Sequence, residues 1–172
     1  MILGEELHMK KRIISLLALI LAAVSLLMLT AGCDLEAHKK NDSYVSDVKN
    51  LVNDTVNYTR RLKQQDEAFE SKDSEKLRGY LLAADDLINT LEQIQKLRPT
   101  DEFDEMNDRL RTAAEAAMNN ITQIRSFVAY ASESGDDGIY KREKENYLQN
   151  YMAYYDEMKE LSSEIQTYWR NA

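Results

Sequence analysis

The chain has 172 residues, 30% of them charged, with 30 Asp and Glu against 22 Lys and Arg. A net charge of −8 at pH 7 argues against nucleic acid and against docking on anionic lipid headgroups. With a single cysteine, the chain can form neither an internal disulfide nor a Cys-rich metal site.

In chain order, the first feature is Lys10-Lys11-Arg12 followed by an apolar run from Ile13 to Leu29, broken only by Ser15 and Ser25. The run is long for a secretory signal and short for a membrane span, so length does not choose between them. Leu29-Thr30-Ala31-Gly32-Cys33 chooses: small residues give a peptidase a narrow segment beside the scissile bond. This stretch resembles a bacterial lipoprotein signal peptide, with Thr30 where such signals most often carry Leu. The resemblance implies cleavage between Gly32 and Cys33 and diacylglycerol or palmitate on the Cys33 sulfur. It also implies a lipid anchor on the outer face of the cytoplasmic membrane or in an outer membrane. Basic residues ahead of the apolar run stay inside and send the rest out. Glu5 and Glu6 do not suit a signal, whereas Met9-Lys10-Lys11-Arg12 does, so Met9 is the expected start.

The expected organisation is a signal with its own helix at 1–32, a lipidated tether at 33–42 and a helical bundle at 43–171. Loss of residues 1–32 would leave 19 basic and 28 acidic residues, a net charge of −9. The polar stretch Asp34 to Asn41 has no apolar stripe and is expected to be unstructured. Beyond Cys33 there is one proline, Pro99, and three glycines, Gly79, Gly135 and Gly138. So few breakers point to long helices.

Four apolar stripes with three-four spacing follow. The first is Val45, Val48, Val52, Thr55, Thr59, Leu62 and Phe69. The second is Leu77, Leu81, Ala84, Leu87, Leu91 and Ile94. The third is Phe103, Met106, Leu110, Ala113, Ala117, Ile121, Ile124 and Val128. The last is Tyr140, Tyr147, Tyr151, Tyr154, Met158, Leu161, Ile165 and Tyr168. Asp42 or Ser43 is expected to cap the first helix and Thr100 the third. Turns are expected at Ser71–Ser74, at Pro99-Thr100 and at Gly135–Gly138, the first being weak enough to let two helices merge. The pattern predicts an all-α, up-down-up-down four-helix bundle made of two helical hairpins.

Chemistry-bearing residues are scarce. His38 is the one histidine after Cys33, and beyond Cys33 no Glu-x-x-His pair of the kind used in di-metal bundles occurs. No cofactor, metal or catalytic residue is expected. Asp85-Asp86 and the run Asp101, Glu102, Asp104, Glu105 fit a solvated face and a helix start. Tyrosine is the unusual feature, with six of ten in the final stripe region and Trp169 beside them. Most of these fit the core stripe. Tyr155 falls off it and, with Tyr147 and Asp136, forms the candidate partner surface at the distal end. Tyr44, Pro99, Phe103, Tyr168 and Trp169 are expected to gather at the opposite, membrane-proximal end.

The segment after Cys33 resembles the small all-helical lipoproteins of Gram-positive bacteria, some of which are assigned to cell-wall binding. Two functions fit. One is a non-enzymatic binding or scaffolding module, held by membrane lipid through Cys33, with a cell-wall polymer or a membrane protein as partner. The alternative is an extracytoplasmic sensor or carrier with a small ligand inside the bundle. A filled core favours the first, and a tyrosine-lined cavity the second.

Overall fold

In the computed structural model the described residues are 36–65 and 74–172. The signal segment, Gly32, Cys33, Phe69 and the 71–73 part of the first turn lie outside them. The chain divides at Lys40 and Asn41 into two units, and the bundle occupies Asn41–Ala172. Residues 36–65 are helical and are called α1. They are followed by α2 at Ser74–Gln95, a 3-10 turn at Asp101–Phe103, α3 at Asp104–Ser134 and α4 at Gly138–Asn171. The protein is an all-α four-helix bundle.

Side-chain contacts give the topology. Adding a β-carbon to Gly79 of α2 would bring it within 3.2 Å of the Gln65 side chain of α1. An unbroken helix would put these positions about 20 Å apart, so the chain reverses and α1 and α2 are separate. Asp85 pairs with Arg125, and Gln95 Nε2 reaches Met118 Sδ at 3.8 Å, which sets α2 antiparallel to α3. Phe127 meets Tyr147 at 5.6 Å and Arg109 meets Glu164 at 3.5 Å, which does the same for α3 and α4. Thr59 bonds Tyr151, and Trp169 Nε1 donates to Asp42 Oδ1 at 2.7 Å, closing the ring between α4 and α1. The run is therefore up-down-up-down.

The stripes form the core. Val48, Leu87, Leu91, Ile94, Phe103, Leu110, Val128, Met158 and Ile165 are fully buried. Met106, Leu77, Leu81, Tyr147 and Tyr154 are half-buried at its margin, and Tyr168 is 44% exposed.

Three local expectations need correction. Residues 36–40, expected to be unstructured, are helical. Glu36-Ala37-His38-Lys39-Lys40 contains no breaker, and Glu36 and Lys40 form an i,i+4 pair at 3.4 Å. Asp42 and Ser43 therefore sit inside α1 rather than at its cap, and Asp42 instead accepts the indole N–H of Trp169. Thr100 precedes the 3-10 turn, where its carbonyl accepts from Phe103 N–H at 2.9 Å. Its hydroxyl donates to Asn41 Oδ1 instead of capping α3.

The last turn follows the expected punctuation. Gly135 takes the left-handed conformation at φ 72°, and its N–H closes on the Ala131 carbonyl at 3.0 Å.

Leu110→Asp is predicted to place an unpaired carboxylate in the core. The cost is several kcal/mol, against a typical domain stability of about 5–15 kcal/mol. Asp86, exposed on α2, is predicted to tolerate Ala with little change. Circular dichroism melts should show Leu110→Asp unfolded or strongly destabilised and Asp86→Ala melting like the wild type.

Candidate functional site

The bundle has two dissimilar ends and one distinctive flank. At the end where α2 gives way to α3, Phe103 is fully buried under three other aromatic rings. Their centroids lie at 5.1 Å for Tyr44, 5.6 Å for Tyr168 and 6.0 Å for Trp169. Of the residues expected to gather, Tyr44, Phe103, Tyr168 and Trp169 are in ring contact. Polar bonds surround it. Tyr44 donates its hydroxyl to Asn107 Oδ1 at 3.1 Å, and Asn41 Nδ2 donates to Glu102 Oε2 at 2.7 Å. Burial, then the nearby Asp104 carboxylate, pushes the Tyr44 hydroxyl above its ordinary range. Its bond to Glu102 pushes the Tyr168 hydroxyl up too. Both stay protonated donors.

Deeper in the bundle, the hydroxyls of Thr55 and Thr59 turn back to main-chain carbonyls, at 2.6 Å each. The single hydroxyl hydrogen of Thr59 is thereby used, so the Tyr151 hydroxyl donates to the Thr59 oxygen. Burial raises the Tyr151 pKa and keeps the phenol neutral. A cavity of about 20 Å³ lies beside this bond. It is lined by Thr59, Leu62, Lys63, Tyr80, Lys144, Leu148 and Tyr151, and offers room for about one water. No buried side-chain polar atom among the described residues lacks a partner.

The three candidate partner-surface residues are not brought together. Asp136 is exposed at the α3–α4 turn, but its carboxylate accepts the Gly138 N–H at 2.9 Å. Its own N–H donates to Ser134 Oγ at 3.1 Å, so Asp136 shapes the turn. Tyr147 is half-buried on the α3 side of α4, edge-on to Phe127. Tyr155 corrects the expectation of an exposed ring: it is 8% exposed and lies on the α1 side, 6.0 Å from Tyr151. The core sector of α4 is wide enough to take it in, because α1 packs beside it. Lys159 covers its ring at 5.2 Å. Gly32 and Cys33 lie outside the described residues.

The residue that periodicity alone overlooked is Tyr130. It is 47% exposed on α3, one turn beyond Phe127. The available signal was charge: residues 116–124 and 126–132 of α3 and 146–155 of α4 carry none, in a chain 30% charged. The Phe127–Tyr147 contact sets these stretches side by side.

Among the described residues no three His, Cys, Asp or Glu converge as a metal-holding group. None of the described helices is long and apolar enough to cross a membrane.

Thr59→Val is predicted to leave the buried Tyr151 hydroxyl without its acceptor, at a cost of about 1–3 kcal/mol. Tyr151→Phe together with Thr59→Val should recover part of that loss, since both polar groups then leave the interior. Denaturant melts of the two single variants and the double variant check this through their coupling. Comparison with protein-family models, curated proteins and solved structures gave no match.

Proposed function

We propose that this protein is a lipid-anchored extracytoplasmic lipoprotein that works as a non-enzymatic binding or scaffolding module of the cell envelope. The observation that carries the choice of a surface module over an interior carrier is the filled core. Tyr151, the residue best placed to line an interior site, is spent on Thr59, and the space beside it fits about one water. A drug-sized ligand needs several hundred Å³. Recognition therefore belongs to the outer faces of the helices.

The anchor follows from Leu29-Thr30-Ala31-Gly32-Cys33. Asp34 to Asn41 is eight residues, a reach of at most about 28 Å if extended. The helical residues 36–40 rise only about 1.5 Å each, which shortens it. On this reading the Phe103–Trp169 end faces the membrane. The α3–α4 turn then lies about 50 Å farther out, the length of α4. Partners are envelope components close to the membrane, either wall polymer or membrane protein.

Two acyl chains at about 0.8 kcal/mol per buried CH₂ hold such a protein essentially permanently. Cys33→Ser is predicted to abolish incorporation of a fatty-acid analogue and to leave the precursor uncleaved. Equal label in mutant and wild type would overturn the anchor. Crosslinking in living cells, followed by partner identification, tests the binding role. Partners confined to the membrane-proximal envelope support it, and an interior small ligand recovered from the purified protein overturns it.

A further inference from the structure

The flank between α3 and α4 differs from the rest of the surface. Nearly a third of the chain is charged, yet the facing stretches 116–124, 126–132 and 146–155 carry no charge. Where these stretches meet solvent they present neutral side chains, amides and aromatic rings among them. Gln123, Tyr130 and Asn150 are exposed, and Asn120, Tyr147 and Tyr154 are half-exposed. Arg109–Glu164 closes the band towards one end, and Glu143 marks the other. Tyr147 and Tyr154 are seven residues apart on one side of α4, a rise of about 10 Å, close to two linked pyranose rings.

From this band we infer that the α3–α4 flank is a docking surface for a neutral polysaccharide strand bearing hydroxyl and acetamido groups. The inference rests on the binding-module reading and specifies its partner. Charge complementarity selects the partner. An anionic polymer would be repelled by a chain of net charge −8 and finds no cation on this face, and a cationic one finds no carboxylate within the band. Sugar rings have apolar C–H faces that lie on tyrosine rings, with hydroxyls at their edges. Asn and Gln both donate and accept, as hydroxyl and acetamido groups require. Tyrosine and asparagine also offer contact area at low entropic cost.

The test is retention of the purified full chain on beads of polymeric N-acetylglucosamine. Wild type is expected to be retained equally in low salt and in about 1 M salt, where charge attraction is screened beyond a few ångström. Tyr130→Ala and Asn150→Ala, both at exposed positions, are expected to weaken retention about tenfold each while melting with the wild type. No retention of the wild type, retention lost in salt, or retention untouched by both variants would each overturn the inference. Self-association lost in Tyr130→Ala, seen by sedimentation, would assign the flank to a second copy and also overturn it. The assay needs no membrane. Its failure alongside membrane-protein crosslinks in cells would remove the polysaccharide and leave the binding module standing.

Discussion

Phe103 is the point on which the bundle closes. It sits in a 3-10 turn, fully buried, and its ring is met by Tyr44 from α1 and by Tyr168 and Trp169 from α4. A single residue from the α2–α3 connection thereby holds the first and last helices at one end. Without a disulfide, packing of this kind helps to fix which helix lies beside which. Hydrophobic burial is non-directional, so four similar stripes could slide past one another. Aromatic rings wedged at one end restrict that sliding.

Buried polar bonds complete the register. Tyr44 to Asn107 and Tyr151 to Thr59 each join helices far apart in the chain. A one-turn slip would strand a buried hydroxyl, which costs more than the bond itself contributes. Asn41 works similarly, linking the start of the bundle to Thr100 and Glu102. Surface ion pairs such as Arg109–Glu164 add little, being half-exposed and screened. The Arg125–Asp85 pair is better formed, with two hydrogen bonds, and hydrogen bonding to Asp85 holds the guanidinium above its ordinary pKa.

The same packing bears on function. Among the described residues Tyr140, Tyr151 and Met158 fill the interior and leave room for about one water beside Tyr151, which supports the proposed surface role over an interior carrier. The outside is mostly charged and solvated, so a band without charge stands out against it. A four-helix bundle with one neutral flank is the arrangement from which the proposed envelope role is built.

The amino-acid sequence by itself determined the helices and their inner faces, because a 3.6-residue period is a local property of the chain. Leu110, Leu91 and Ile165 were legible as core for that reason, and Gly135 as a turn because its backbone needs positive φ. The gathering of Phe103 with Tyr168 and Trp169 was legible once the helices alternated in direction. What periodicity did not decide was the width of each buried face. Tyr155 is buried and Tyr130 exposed because those positions depend on which neighbour packs alongside, and the stripe carries no such information. Asn41 likewise looks like linker in the sequence, since a polar residue becomes core only when distant partners such as Thr100 and Glu102 arrive to satisfy it. Tertiary structure alone set those pairings and laid the uncharged stretches of α3 and α4 side by side.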